Sequence, residues 1–198
     1  MRYLLALYVV AVMLFALAGC ATTPPSRFYI LEPVKADAAA QPAGPSTALG
    51  VGPVELPKYL DRPQIAVRTG ANELLYNETH RWAEEFQDNV TTVLAENLAR
   101  LVPTDSVAVF PWGRTTTVDY RVVVKISRFD ADTTGNVVLS ANWKLYREQN
   151  REVVSQKKTV LTEPVGGSDF PDIVAAQSRL LASLSREIAG AIRAAASH

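Results

Sequence analysis

Val137-Val138-Leu139-Ser140-Ala141-Asn142-Trp143-Lys144-Leu145-Tyr146 alternates without a break. Val137, Leu139, Ala141, Trp143 and Leu145 fall on one side, and Val138, Ser140, Asn142, Lys144 and Tyr146 on the other. Period two marks a strand with one buried and one wetted face, the habit of antiparallel sheets. Working outward, Tyr120 to Phe129 reads as the preceding strand, joined to it by a hairpin turn at Asp130-Ala131-Asp132-Thr133-Thr134-Gly135-Asn136. Glu148-Gln149-Asn150 turns the chain into a further strand, Glu152 to Leu161, and Pro164, Gly166 and Gly167 end this strand-rich part.

The pattern then changes period. From about Phe170 to Ala195 the apolar residues Ile173, Leu180, Leu181, Leu184, Ile188 and Ile192 recur at helical spacing with Gln177 among them. Ser168 or Asp169 suits its N-cap, and Pro171 its first turn. A second amphipathic helix is expected from Arg81 to Leu101, with Trp82, Phe86, Val90, Val93, Leu94, Leu98 and Leu101 on one stripe and Pro103 as the stop. Shorter strands are expected at Arg27–Leu31, Leu49–Val54, Gln64–Arg68, Glu73–Tyr76 and Ser106–Phe110. Pro53 suggests that Leu49–Val54 is an edge strand or ends early. The expected fold class is α+β: a two-layer sandwich, mostly antiparallel sheet, with two long amphipathic helices packed on one face.

Composition narrows the function. The chain has 198 residues, with 20 Lys+Arg against 20 Asp+Glu, which argues against a generic nucleic-acid binder. Hydrophobic residues at 48% against 20% charged suit a packed domain rather than a disordered chain. One Cys excludes an internal disulfide and a cysteine-cluster metal site, and two His leave little for a histidine site. No nucleophile elbow, phosphate-cradling loop or dinucleotide fingerprint occurs. Asp130-x-Asp132 resembles the opening of a calcium loop, but Ala141 stands where a bidentate Glu is required. No enzyme, metal or cofactor is expected.

The N-terminus reads as an address. Residues 1–19 carry one charge, Arg2, and the uncharged run Tyr3–Leu17 is short for a membrane span, which needs about 20 apolar residues. The run closes on Ala16-Leu17-Ala18-Gly19-Cys20, the pattern of a cleaved export signal. Residues 20–26 form a short tether, and 27–198 the domain. If Arg27–Leu31 joins the sheet, the tether reaches only about 20 Å. The alternative is a tether extending to Ala48 through the Pro-, Ala- and Gly-rich stretch from Pro33.

Among side chains outside the core stripes, Tyr59 and Leu60 stand out, being large apolar groups in a loop framed by Pro57 and Pro63. Such a loop either folds back on the core or meets a partner, since aromatics are enriched at interfaces. His80 reads as a capping or packing residue. Lys157-Lys158 with Arg147 and Arg151 make a mildly basic hairpin, better read as a solvated edge than as a contact for anionic headgroups.

Leu17-Ala18-Gly19-Cys20 resembles the lipobox of bacterial lipoproteins, which implies acylation of Cys20 and cleavage before it. Ala21, in place of Asp after the Cys, implies sorting to the outer membrane, on its periplasmic face. Beyond it, Phe28-Tyr29-x-Leu31, then Val51-Gly52-Pro53-Val54-x-Leu56-Pro57-x-Tyr59-Leu60-Asp61-Arg62-Pro63-Gln64-Ile65, then Arg81-Trp82-Ala83-Glu84 and Ala176-Gln177-Ser178, together resemble the ABC-type transport auxiliary lipoproteins, the PqiC-like family. Phe86-Gln87 departs from the Pro or Leu that often follows the Arg-Trp-Ala-Glu block.

The resemblance implies a non-enzymatic accessory of an ABC/MCE-type intermembrane lipid transport system. Such a protein is held in the outer membrane by acyl chains on Cys20 and docks an MCE-type periplasmic bridging protein, with a homo-oligomeric ring as one arrangement. The expected contact residues are Tyr59, Leu60, Asp61 and Arg62, with Arg81 and Trp82 as further candidates, although Trp82 fits a core position better. The alternative is a structural or envelope-assembly lipoprotein that binds an outer-membrane protein or lipopolysaccharide machinery.

Overall fold

The computed structural model describes residues 1–4, 8, 24–35, 46–104, 106–113, 115–167 and 169–197. Cys20, most of the export signal, Ser168, and residues 36–45 of the Pro- and Ala-rich stretch lie outside the described residues.

Among the described residues from Arg27 onward, eight strands and two helices follow in the order β1 (Arg27–Tyr29), β2 (Ala48–Glu55), β3 (Gln64–Gly70), β4 (Glu73–Trp82), α1 (Phe86–Leu101), β5 (Ser106–Val109), β6 (Tyr120–Asp132), β7 (Asn136–Arg147), β8 (Glu152–Pro164) and α2 (Phe170–Ala196). The architecture is the expected α+β two-layer sandwich. The long antiparallel ladders β6–β7 and β7–β8 carry most of the pairing. The joins β1–β4, β2–β5, β2–β6 and β3–β6 are parallel.

Strand β6 organises the sheet. One of its edges pairs with β7 along its whole length. The other edge is shared: β2 takes the N-terminal half, Tyr120 to Lys125, and β3 takes the C-terminal end, Ala131 and Asp132. The sheet therefore forks on this edge, and the β2–β3 loop, residues 56–63, turns at the fork.

The alternation in β7 is borne out. Val137, Leu139, Ala141, Trp143 and Leu145 are buried, while Asn142 and Lys144 are exposed. The helices cover the buried face, with α2 over β6, β7 and β8 and α1 over β2 and β5. Phe86, Phe129, Leu94, Leu98, Leu139, Leu181 and Leu184 are among the large side chains closed off from water between the layers. At about 25 cal/mol per Å² of apolar area, this burial is the main term holding the sandwich together.

Three expectations change. The first helix begins at Phe86, not Arg81; Arg81 and Trp82 are the last residues of β4, which is longer than Glu73–Tyr76. The Trp82 amide donates to the Pro63 carbonyl at 2.7 Å, extending the β3–β4 pairing. Trp82 and Phe86 mimic helical spacing because their rings stack, 4.1 Å apart, across the strand-to-helix turn.

Second, β2 is not an edge strand, for β5 and β6 flank it. Gly52 and Pro53 sit in a register shift against β6 between Val51 and Val54, where a missing N–H breaks no ladder. Gly52 has a φ of 120°, and a Cβ there would lie 2.7 Å from the Phe110 Cβ, so only glycine fits.

Third, Asp130 and Asp132 belong to β6 rather than to a turn, and the reversal is confined to Thr133–Gly135.

The segment after β1 is held in place. The Leu31 amide donates to Asn89 Oδ1 at 2.8 Å, Glu32 N to Ser178 Oγ at 3.0 Å and Val34 N to Asn97 Oδ1 at 2.7 Å, while Arg100 reaches the Val34 carbonyl. Leu31 is buried in the core. Residues 31–34 thus form a strap across both helices, which tells against the alternative of a tether extending to Ala48.

Candidate partner-docking site

The β2–β3 loop is built around a buried carboxylate. Asp130 on β6 has no exposed surface. Its Oδ2 accepts from the Tyr59 hydroxyl at 2.7 Å and from Arg68 Nη2 at 3.1 Å, and its Oδ1 from Arg68 Nε at 3.2 Å and Arg128 Nε at 2.9 Å. A buried charge is tolerated when its lone pairs are satisfied and it is paired, and Asp130 meets both conditions. The Arg68 guanidinium is held charged above its ordinary range, chiefly by its hydrogen bonds to Asp130. Burial first, then the hydrogen bond and charge of Asp130, push the Tyr59 hydroxyl well above its ordinary value, against the opposing pull of Arg68. Tyr59 therefore remains a neutral donor.

The loop backbone is tied down as well. Leu60 N donates to the Pro57 carbonyl at 2.9 Å and Asp61 N to the Lys58 carbonyl at 3.2 Å. The Tyr76 hydroxyl donates to the Tyr59 carbonyl at 3.1 Å. Leu60 fills the core beneath the loop. Above it, Lys58, Asp61 and Arg62 are exposed, with the Arg62 guanidinium over the Tyr76 ring at 5.1 Å.

The six domain residues expected as contacts are divided by this geometry. Tyr59 is half-buried and turned inward to Asp130. Leu60 and Trp82, each 5% exposed, are core residues and present no side chain to a partner. Asp61 and Arg62 are on the surface. Arg81 is half-buried, in register with Gln64 on one side and Phe28 on the other. Cys20 lies outside the described residues. His80 packs: its ring stacks on Phe170 at 4.0 Å, and its Nδ1 is hydrogen-bonded to the Tyr29 hydroxyl at 2.7 Å.

The remaining sequence blocks have structural duties around the strap. The Ala83 amide donates to the Tyr29 carbonyl at 2.9 Å, and Glu84 accepts from Asn89 Nδ2 at 2.6 Å. Gln177 Nε2 donates to the Phe129 carbonyl at 3.1 Å, and Ser178 receives the Glu32 amide. From the sequence, Arg68 and Arg128 are missed, and Asp130 is placed in a turn. The available signal was Arg128-x-Asp130, two opposite charges on one face of a strand.

Among the described residues, no group of three His, Cys, Asp or Glu could hold a metal ion, and no helix is long and apolar enough to cross a membrane.

A family model described as the ABC-type transport auxiliary lipoprotein component matches residues 29–189. No curated protein matches the chain. Among solved structures, an uncharacterized protein superposes with a TM-score of 0.71 at 20% identity, covering 85% of this chain and 99% of its own. A Xanthomonas campestris protein of family DUF330 superposes with a TM-score of 0.69 at 21% identity, covering 85% and 96%. These two share the fold.

Proposed function

Since the chain belongs to the ABC-type transport auxiliary lipoprotein family, we propose that it serves an ABC/MCE-type intermembrane lipid transporter as a non-enzymatic accessory. In this reading acyl chains on Cys20 hold it at the periplasmic face of the outer membrane. An MCE-type bridging protein, or an equivalent partner, docks on the β2–β3 loop, with several copies of this chain able to encircle it as a ring.

The observation that supports the docking reading is the clamp itself. Three polar side chains from β3, β6 and the loop converge on Asp130, and together they fix a loop whose tip offers Asp61 and Arg62 to solvent. A rigid, charged tip suits recognition, because little conformational entropy is lost on binding. The anchor is supported by the family and by the pairing of β1 with β4, which starts the folded domain seven residues after Cys20. Each acyl methylene buried in the bilayer adds about 0.8 kcal/mol, so two or more chains hold firmly.

Copurification of the full chain from membranes tests the docking. Asp61→Ala/Arg62→Ala is expected to lose the transport partner while thermal unfolding stays unchanged. Undiminished capture sinks the docking assignment, and capture of outer-membrane assembly proteins instead favours the envelope-assembly reading. Cys20→Ser tests the anchor by fractionation: unchanged mass and unchanged membrane retention would remove it.

A further inference from the structure

The face of the sheet opposite the helices carries a cluster of cations that the docking loop does not use. Lys125 on β6, Asn142 on β7 and Lys158 on β8 stand in one cross-strand row, and the next row holds Val123, Lys144 and Gln156. Adjacent strands lie about 4.8 Å apart, so the three lysine Cα atoms form a triangle with sides of roughly 8–10 Å. Lys125, Lys144 and Lys158 are exposed. Lys144 and Lys158 make no ion pair with any described residue, and among the described residues lining the cluster the acid is Glu55, 3.7 Å from Lys125 with both groups largely in water. Together with Asn142 and Tyr146, these residues line a shallow depression of about 590 Å³.

Edge protection accounts for lysines on β8. It does not account for Lys125 and Lys144, which sit on strands paired along both edges. The three lysines are diagonal neighbours, with Glu55 and Asn142 facing Lys125 and Gln156 facing Lys144, so their mutual repulsion is modest and an anionic surface brought to the face would relieve it.

The same face has an aromatic border. Trp112 lies against Gly50 of β2, where a Cβ would meet its ring at 2.7 Å, and Phe110, half exposed, packs edge-on to Trp112 at 5.7 Å. Gly50 is in register with Arg121, and Arg121 with Tyr146, so these rings flank the lysines. Lysines bordered by Trp, Phe and Tyr match the headgroup zone of a bilayer, where aromatic rings settle at the interface and cations meet phosphates.

We infer that this open face, centred on Lys125, Lys144 and Lys158, binds the surface of an anionic phospholipid bilayer. The aromatic border favours a bilayer over an acidic protein segment. Each lysine near such a surface strengthens attachment by about fivefold. The contact is separate from the Asp61–Arg62 tip, and the inference does not rest on that site.

The test uses the full chain reconstituted in vesicles of phosphatidylcholine, with and without phosphatidylglycerol, and amine acylation of each lysine followed by mass spectrometry. Flotation with the phosphatidylcholine vesicles reports the anchor by itself. Phosphatidylglycerol is expected to lower labelling of Lys125, Lys144 and Lys158 severalfold relative to Lys58. The effect should vanish in 1 M salt, where the screening length is about 3 Å. Lys144→Gln/Lys158→Gln is expected to restore labelling of Lys125. Equal labelling of the three lysines in both vesicle types overturns the inference, and so does equal protection by inorganic phosphate with phosphatidylcholine alone, which would mark a free-oxyanion site.

Discussion

The Tyr59 hydroxyl donates to Asp130 Oδ2 at 2.7 Å, joining a loop to a strand 71 positions further along the chain. This bond spans the fork where β2 and β3 leave β6, and with Arg68 and Arg128 it turns a gap in the sheet into a fixed platform. Any partner that reads Asp61 and Arg62 reads a surface set by Asp130.

Removing the carboxylate leaves two guanidinium groups facing each other in a half-buried site. Asp130→Ala is expected to cost on the order of 3–5 kcal/mol, the usual penalty for breaking a buried pair. Tyr59→Phe, which leaves both arginine pairs intact, should cost about 1.5–3 kcal/mol, as for a hydrogen bond to a charged group. Urea unfolding of the two variants beside the wild type checks the order, and a Tyr59→Phe cost as large as that of Asp130→Ala contradicts it.

Alkaline titration probes the same bond. The folded state holds the Tyr59 proton more tightly than the unfolded chain, whose value is near 10.0. The stabilisation is therefore fully present below that pH and is lost as pH rises through the folded-state value. Stability of the wild type should fall above pH 10 more steeply than that of Tyr59→Phe. Parallel profiles for the two proteins would show that the hydroxyl is not coupled to folding.

At the acid end, Glu187 on α2 is the group to follow. Burial acts to raise its pKa, but hydrogen bonds from Thr159, Lys157 and Trp143 outweigh it and hold the carboxyl below its ordinary 4.5. A lowered folded-state value gives stability that is present above 4.5 and lost as pH falls through the folded value. The deficit of Glu187→Gln relative to wild type should therefore shrink as pH falls below 4.5. Trp143→Phe removes the Nε1 donor, 3.0 Å from Glu187 Oε1, and should shift the acid limb of the wild-type stability curve toward higher pH. Stability measured by thermal unfolding between pH 3 and 7 decides both.

The strap offers a test by hydrogen exchange. Asn97 Oδ1 accepts the Val34 amide, while its Nδ2 donates to Ser185 Oγ at 3.0 Å. Asn97→Ala should speed exchange at Val34 by an order of magnitude or more, about 1–3 kcal/mol for the lost acceptor and the Ser185 oxygen left without its amide donor. The Leu31 amide, held by Asn89, should slow again relative to Val34. Uniform loosening of residues 31–34 would mean the strap opens as one piece.

The elements that were legible in the sequence are those whose periodicity is local. The alternation in β7 and the long stripe of α2 needed only neighbours in the chain. What failed depended on distant partners. Asp130-Ala131-Asp132-Thr133-Thr134-Gly135 has turn chemistry throughout, and nothing local shows that Arg68 and Tyr59 will draw Asp130 back into β6. Trp82 keeps a helical interval to Phe86 because stacked rings satisfy the same spacing, so the helix seemed to begin in a strand. Pro53 pointed to an edge, since a register shift against β6 cannot be seen from β2 alone. The Tyr59–Arg62 block is legible as a Pro-framed loop, but burial divides it, and the anionic centre that orders it lies in a segment that reads as a turn.

The strap also bears on mechanics. Traction along the axis of β1 would act on a strand bonded sideways to β4, with Tyr29 locked to Ala83 behind it. Its bonds share such a load in shear instead of peeling one after another. A drag on the N-terminus is next met by Leu31, plugged between the layers, and by three side chains gripping successive amides. A pull on the N-terminal end of the domain would thus be resisted by a paired strand, a core side chain and a set of gripped amides together.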